Sequence, residues 1–136
     1  MNTQALREQI EGYLDVLAIP HAPDLHGTLT VTHGTAAICV VPYTHEEFAL
    51  VRLLARTNAV ELSDELSRYL LRQNAKLEIG GFAWETPGRV ALSYTLFAEF
   101  LQRRELEVAL SAVASNADHY NEEIRARFGG ELLGKP

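Results

Sequence analysis

The sequence predicts one α+β domain in which helices pack on an antiparallel sheet. Three observations predict this class. Apolar residues recur at helical spacing near both ends of the chain, over residues 3–18 and 106–128. Two pairs of strand-like segments, over 28–43 and 76–96, are each joined by a glycine-containing turn. A capped helical segment separates the two pairs, and the resulting order of helix, strands, helix, strands and helix is typical of α+β domains.

The composition is that of a globular protein with one hydrophobic core. The chain has 136 residues, of which 47% are hydrophobic and 22% are charged, and this length supports a core without metals or disulfides. We expect the domain to span residues 1–130 and residues 131–136 to form a flexible tail. No signal-peptide pattern and no run of about 18 apolar residues is present, which together with the single Cys39 predicts a cytoplasmic protein without a membrane span.

The first elements are a helix and a β-hairpin. The helical stripe consists of Leu6, Ile10, Tyr13 and Leu17. Pro20 and Pro23 end the helix because proline cannot continue the hydrogen-bond ladder. The hairpin strands are expected at 28–33 and 36–43, joined through Gly34. Pro42 lacks an N–H group and is expected at the strand end or on an edge.

Residues 46–59 carry two conflicting signals. Thr44 can cap a helix, and the segment is rich in glutamate, leucine, alanine and arginine, which favour one. The alternation of Val51, Leu53 and Ala55 with residues 52, 54 and 56 (Arg, Leu and Arg) instead suits a half-buried strand. Local composition therefore favours a helix slightly and leaves a strand open.

The second helix and second hairpin follow without a linker. Ser63 is the expected N-cap of a helix that buries Leu66 and Leu70, and Asn74 is its expected C-terminal stop. The strands are expected at 76–85 and 89–96, around a Pro87-Gly88 turn of type II. In the register of that turn, one face carries Leu77, Ile79, Ala83, Val90, Leu92, Tyr94 and Leu96, and the other carries Phe82, Trp84, Ala91, Ser93 and Thr95.

The second of these faces is the expected contact surface. Phe82 and Trp84, with Ala91 beside them, would project away from the main core, where aromatic side chains commonly anchor partner proteins. Coverage by another helix of the chain stays open as the alternative. Beyond this hairpin, a long helix is predicted by Leu106, Leu110, Val113, Ala117, Tyr120, Ile124 and Phe128, ending at Gly129-Gly130.

No sequence motif for catalysis is present. Five histidines, namely His21, His26, His33, His45 and His119, do not have the spacing of zinc ligands, so neither a metal site nor a cofactor is expected. A small metal-dependent enzyme that uses loop histidines stays an alternative. Arg68 and Arg72 lie one helical turn apart and could meet an acidic partner. With Arg52 and Arg56 they could also serve a nucleic-acid-associated protein, although the net charge of -6 argues against direct nucleic-acid binding.

The run ELSRYLLRQNAKLEIGGFAWETPGRVALSYTL, followed by ADHYNEEIRARFGG, resembles the YbjN-like family, which has the type III secretion chaperone-like fold. The matching positions are Leu70-Leu71, Asn74, Gly81-Phe82, Gly88, Val90, Leu96 and Gly129-Gly130. The resemblance implies an antiparallel sheet packed by helices in the order α-β-β-β-α-β-β-α. It therefore implies that residues 48–59 are the third strand, against the local preference.

The resemblance also implies a bacterial, non-enzymatic protein that is often homodimeric. We therefore expect an adaptor or chaperone-like regulator that binds peptide segments of a partner protein. Its expected contacts are Phe82, Trp84, Ala91, Arg68 and Arg72.

Overall fold

A seven-stranded antiparallel sheet, covered on one face by three helices, makes up residues 2–134, which are the residues that this computed structural model describes. The helices are α1 (Thr3–Val16), α2 (Asp64–Lys76) and α3 (Arg103–Phe128). The strands are β1 (His21–Pro23), β2 (Leu29–His33), β3 (Ala36–His45), β4 (Phe48–Ala59), β5 (Gly81–Glu85), β6 (Arg89–Phe97) and β7 (Glu131–Leu132). Their spatial order is β1-β2-β3-β4-β6-β5, and β7 pairs with β4. The predicted fold class is confirmed.

Helix α1 begins where Asn2 accepts a hydrogen bond from the Ala5 amide at 2.8 Å. Its buried residues are Leu6, Ile10 and Leu14. The buried stripe therefore includes Leu14, which was not predicted, whereas the predicted Tyr13 and Leu17 are only partly buried at the margin of the core. The segment after the helix was predicted only as a proline-rich break. It contains the short edge strand β1, which pairs with β2.

The first hairpin has the predicted strands and turn. Gly34 adopts a φ of +61° between β2 and β3, a conformation that costs glycine little. Pro42 lies within β3, but the ladder with β2 ends at Val40. Pro42 therefore has a neighbouring strand on the β4 side alone, as its missing N–H group requires.

Strand β4 resolves the ambiguous segment. Residues Phe48–Ala59 are extended and pair with β3 on one side and β6 on the other. The local preference for a helix is wrong because pairing on both sides and burial of Val51, Leu53 and Ala55 outweigh helix propensity. The strand implied by the family resemblance is confirmed.

Helix α2 has the predicted start and a different end. Ser63 accepts a hydrogen bond from the Leu66 amide at 3.1 Å. The helix continues beyond Asn74 to Lys76, so the prediction that Asn74 stops the helix is wrong. The Asn74 side chain instead bonds to the backbone of Phe82 on β5.

The second hairpin forms in a different register from the predicted one. Strand β5 begins at Gly81, and Glu85 pairs with Arg89, which leaves a loop of residues 86–88 with a cis Thr86–Pro87 peptide. Phe82 consequently lies opposite Leu92, and Trp84 lies opposite Val90. A shift of one residue moves every side chain of a strand to the other face, so the predicted placement of Phe82 and Trp84 away from the core is wrong.

Strand β7 corrects the prediction of a flexible tail after residue 130. Glu131 and Leu132 pair with β4, the Leu133 amide donates to the Thr57 carbonyl at 2.8 Å, and the Gly134 carbonyl accepts from the Ala37 amide at 2.7 Å. Residues 131–134 thus connect the diverging ends of β3 and β4. Residues 135 and 136 of the predicted tail lie outside the described range.

Candidate binding surfaces

The contact patch predicted on the second hairpin is covered. Phe82 is 7% exposed and packs edge-on against the Tyr120 ring of α3, with ring centroids 5.2 Å apart. The Trp84 side chain is half-buried and donates its indole N–H to the Val60 carbonyl at 3.2 Å. Ala91 points to the opposite face and is 1% exposed. These side chains therefore stabilise the fold and do not present an aromatic surface.

The face of the sheet that carries Ala91 lies outside the hydrophobic core. The buried side chains of all three helices form a single cluster with the side chains of the other face, which carries Phe82. On the uncovered face, Arg56 pairs with Glu85 at 3.0 Å, and the Arg52 guanidinium lies 5.5 Å from the centre of the Tyr43 ring. The side chains that share this face with them by strand alternation include Cys39, Val41, Leu50 and Leu54.

Three phenylalanines meet at one end of this face. Phe48 and Phe97 form an edge-to-face pair with centroids 5.9 Å apart. Phe97 is 74% exposed and Phe100 is 86% exposed. Together with Glu99 and Glu105 they line a cavity of about 310 Å³. We call Phe48, Phe97 and Phe100 the phenylalanine cluster; exposed apolar groups of this size commonly mark interaction sites.

The edge of strand β6 beside this cluster has no partner strand. The ladder between β5 and β6 stops at the pair Gly81–Ser93, so Tyr94–Phe97 pair with β4 alone among the described residues. Just past β6, the Ala98 amide donates to the carbonyl of Ala49 in β4 at 2.8 Å. Since backbone groups alternate in direction along a strand, those of Thr95 and Phe97 point to the open side.

A cleft runs along this open edge on the helical side of the sheet. It has a volume of about 290 Å³. Its lining is mainly apolar and consists of Ile79, Tyr94, Leu96, Val108 and Ala109, with Arg104 and Glu105 at one end. The open edge therefore has an apolar cleft on one face of the sheet and the phenylalanine cluster on the other.

A second cavity lies between α2 and the last turn of α3. It has a volume of about 360 Å³ and is lined by Glu65, Arg68, Tyr69, Arg72, Arg127 and Phe128. We call it the arginine groove. Arg68 and Arg72, singled out from their spacing, are both exposed on α2, and the structure adds Arg127, whose guanidinium lies 5.1 Å from the centre of the Tyr69 ring.

The remaining sequence-based candidates do not form a common site. Arg52 and Arg56 lie on the uncovered sheet face, whereas Arg68 and Arg72 line the arginine groove, so the four arginines do not make one basic surface. Between residues 2 and 134, no three histidine, cysteine, aspartate or glutamate side chains converge as metal ligands would. Within the same range, no helix is long and apolar enough to cross a bilayer.

The sequence reasoning missed the phenylalanine cluster and the open edge. The segment Phe97-Ala98-Glu99-Phe100 follows directly on an alternating strand, and two phenylalanines so close to its end were a usable signal. The open edge gave no comparable signal, because the strand predicted at 76–85 includes residues 77–80 and would cover this edge.

Comparison with known families gives one match that spans nearly the whole chain. The family TY-Chap1, described as T3SS (YopN, CesT) and YbjN peptide-binding chaperone 1, matches residues 4–135. No curated protein matches the chain.

Several solved structures share the fold at low sequence identity. The type III secretion chaperone SycH of Yersinia pestis, in complex with a stable fragment of YscM2, is 15% identical with a TM-score of 0.63, over 84% of this chain and 98% of that chain. The HopA1–SchA chaperone–effector complex is 15% identical with a TM-score of 0.65, over 90% of this chain and 98% of that one. YbjN from E. coli is 12% identical with a TM-score of 0.63, over 95% and 96% of the two chains.

Proposed function

The chain belongs to the TY-Chap1 family of peptide-binding chaperones, and from this premise we propose that it holds an extended segment of a partner protein at the open edge of β6. The resemblance to the YbjN-like family drawn from the sequence is confirmed. We further propose that the protein is a non-enzymatic, cytoplasmic adaptor. Two of the structurally similar chaperones were solved in complex with a fragment of YscM2 or with an effector, which supports a protein segment as the ligand.

The proposal is carried by the outward backbone groups of Thr95 and Phe97, which have no partner strand among the described residues. An extended peptide can add to a sheet edge through main-chain hydrogen bonds, while pockets for alternate side chains supply selectivity. The outward groups of Thr95 and Phe97 would form such bonds, each with a net value of about 0.5–1.5 kcal/mol. Bonds of this strength give weak binding by themselves, so side-chain burial must supply most of the affinity.

The two faces beside the edge provide that burial. Successive residues of an added strand point to opposite faces. One set of side chains would enter the apolar cleft next to Leu96 and Val108, and the other set would lie against Phe97 and Phe100. Glu99 and Glu105 at the cavity of the phenylalanine cluster favour a lysine or arginine at the corresponding end of the segment.

The other candidate edge of this region, that of β5, is occupied at Phe82. The Asn74 amide bonds to both backbone groups of Phe82 on β5. A strand added to β5 would have to displace the Asn74 side chain, whereas a strand added to β6 would displace no such bond, so we place the proposed site on β6. This leaves Thr95 as the position at which the proposal is tested.

A matched pair of substitutions tests the open edge. Thr95→Pro removes the outward N–H group. Thr95→Val keeps this N–H group and replaces the side chain with one of similar volume. Peptides selected from a random display library on the wild-type protein are measured against both variants by fluorescence anisotropy. We expect Thr95→Pro to weaken binding at least about tenfold, the equivalent of about 1.4 kcal/mol, and Thr95→Val to retain it.

Two outcomes would contradict strand addition. One is equal binding of the selected peptides to Thr95→Pro and wild type, with circular dichroism showing both folded. The other is failure of the wild-type protein to select any peptide. Amide hydrogen exchange gives an independent check, since a bound strand must protect the amides of Thr95 and Phe97.

We also propose that the protein is a homodimer in solution. The uncovered sheet face beside the phenylalanine cluster, with Val41, Leu50 and Leu54, is an apolar surface available to a second copy. Multi-angle light scattering of the wild-type protein tests this separately from peptide binding, and a mass of 15.1 kDa would show a monomer.

A further inference from the structure

The arginine groove between α2 and α3 has the features of a binding site for a negatively charged group. Arg68 and Arg72 stand one turn apart on α2, and Arg127 faces them from the last turn of α3. We propose that this groove binds a carboxylate side chain of a partner segment, at a position separate from the open edge of β6. The inference rests on the proposed function to the extent that the ligand is a peptide.

The guanidinium groups of Arg68 and Arg72 are available to bind a ligand. Among residues 2–134, neither Arg68 nor Arg72 has a carboxylate within 4.0 Å, whereas Arg56, Arg104 and Arg125 are each paired with a glutamate. Arg127 has only a long contact, at 4.0 Å, with Glu123. A guanidinium presents a planar fork of donors that matches a carboxylate with two parallel hydrogen bonds. The groove therefore offers paired donors with few competing acceptors.

The floor of the groove contains a buried hydroxyl without a well-placed acceptor. Tyr69 is 3% exposed, and its hydroxyl makes no hydrogen bond of ordinary geometry among the described residues, although the Glu123 carboxylate is close enough to interact with it. Burial, reinforced by the nearby Glu123 carboxylate, raises the pKa of Tyr69 well above its usual range, so the hydroxyl keeps its proton at neutral pH. A buried donor without a well-placed acceptor is uncommon in folded proteins, and a bound carboxylate would supply one.

The walls of the groove narrow the class of ligand. The Tyr69 and Phe128 rings lie with centroids 5.3 Å apart, and the volume of about 360 Å³ fits a side chain or two. Glu65 at the rim and the net charge of -6 are unfavourable to a polyanion such as a nucleic acid. The best ligand is therefore an acidic residue beside an aromatic or aliphatic one: the carboxylate would bind the arginines, and the apolar side chain would pack on the two rings.

The test uses two capped peptides that differ only in charge, Gly-Phe-Glu-Glu-Phe-Gly and Gly-Phe-Gln-Gln-Phe-Gly, each acetylated and amidated. Binding is measured by isothermal titration calorimetry at low salt. The groove variant is Arg68→Gln with Arg72→Gln. The matched control is Arg103→Gln with Arg125→Gln, which removes the same two charges from parts of α3 outside the groove.

We expect the glutamate peptide to bind wild type and the control, and to bind the groove variant at least about tenfold more weakly. The glutamine peptide should bind wild type at least about tenfold more weakly than the glutamate peptide. Tyr69→Phe should weaken binding of the glutamate peptide a few-fold and leave the fold intact, since the hydroxyl makes no hydrogen bond of ordinary geometry among the described residues. Equal binding of the two peptides, or equal effects of the groove and control variants, would overturn the proposal.

Two further arms identify the occupant and separate the two sites. Inorganic phosphate or a thymidine oligonucleotide that binds the groove more tightly than the glutamate peptide would overturn a peptide carboxylate as the ligand. The variant Thr95→Pro should bind the glutamate peptide as wild type does. Loss of binding in Thr95→Pro but not in the groove variant would overturn the groove as the site while leaving the β6 edge in place.

Discussion

The side chain of Asn74 takes the place of a strand beside Phe82. Its amide oxygen accepts from the Phe82 N–H at 2.6 Å, and its amide nitrogen donates to the Phe82 carbonyl at 3.1 Å. A helical residue thus satisfies both backbone groups at the edge of β5, as a neighbouring strand would. Exposed strand edges commonly require such protection.

Replacing Asn74 with alanine should destabilise the protein and open the edge of β5. Loss of two hydrogen bonds to buried backbone is expected to lower the free energy of unfolding by about 1–3 kcal/mol. Urea denaturation gives this value, and hydrogen exchange at the Phe82 amide reports the opening. Asn116→Ala is the control, because Asn116 is also helical but its side chain makes a single bond among residues 2–134, to the Ile79 carbonyl at 3.4 Å. Equal effects of the two changes would contradict the special role of Asn74.

Phe82 and Phe97 should respond to the same substitution in opposite ways. Phe82 is enclosed by the core, so Phe82→Ala is expected to cost about 3–5 kcal/mol of stability. Phe97→Ala at the exposed position should change stability by no more than about 0.5 kcal/mol and should weaken peptide binding. Thermal denaturation and fluorescence anisotropy separate the two effects. A stable Phe82→Ala protein with impaired peptide binding would restore the surface role first predicted for this residue.

Gly130 is expected to tolerate no side chain. It has a φ of +81°, and a Cβ atom there would collide with the Ala59 carbonyl oxygen. Gly130→Ala should therefore loosen β7 and destabilise the fold by more than about 1 kcal/mol. Gly12 in α1 has no atom within 4 Å of the Cβ position, and Gly12→Ala should stabilise the protein by about 0.5–1 kcal/mol. Chemical denaturation of both variants decides this, and a neutral Gly130→Ala would show that β7 contributes little.

The raised pKa of Tyr69 predicts a loss of stability at high pH. Its ordinary pKa is about 10, and burial raises that pKa in the folded protein. A group that holds its proton more tightly when folded contributes its full stability below the unfolded pKa and loses it as pH rises above that value. Wild type should therefore lose more unfolding free energy than Tyr69→Phe when the pH is raised from 8 to about 10.5. Parallel pH profiles of the two proteins in urea denaturation would contradict this.

The sequence was sufficient to predict whether a segment is helix or strand wherever its local residue preferences agree with its tertiary packing. Ser63 caps α2 as predicted, and Gly34 closes the first hairpin. β4 needed the family resemblance, because pairing on both sides decides its conformation and local composition does not report pairing. The predicted placement of Phe82 is wrong for a narrower reason. The predicted turn pairs residue 86 with residue 89, whereas the observed three-residue loop pairs 85 with 89, and this shift of one residue moves Phe82 to the other face. The Pro87-Gly88 signal is compatible with both turns.

The binding surfaces were predicted less well than the fold. The spacing of Arg68 and Arg72 was enough to place them on one helix face, since it depends on a single element. Arg127 could not be added, because its approach depends on how α3 packs against α2. The open edge of β6 depends on where β5 begins, and strand ends are set by packing of residues 77–80 more than by their composition.

The length of the open edge limits how selective a peptide-binding site there would be. Four residues of β6, Tyr94–Phe97, leave room for a partner strand of roughly 13 Å, with about two side chains on each face. So few positions discriminate poorly between segments, because one methylene in an apolar pocket changes affinity by only about 1–3 kcal/mol. An edge of this size suits a broad clientele, and a narrow choice of client would require a second point of attachment on the same chain.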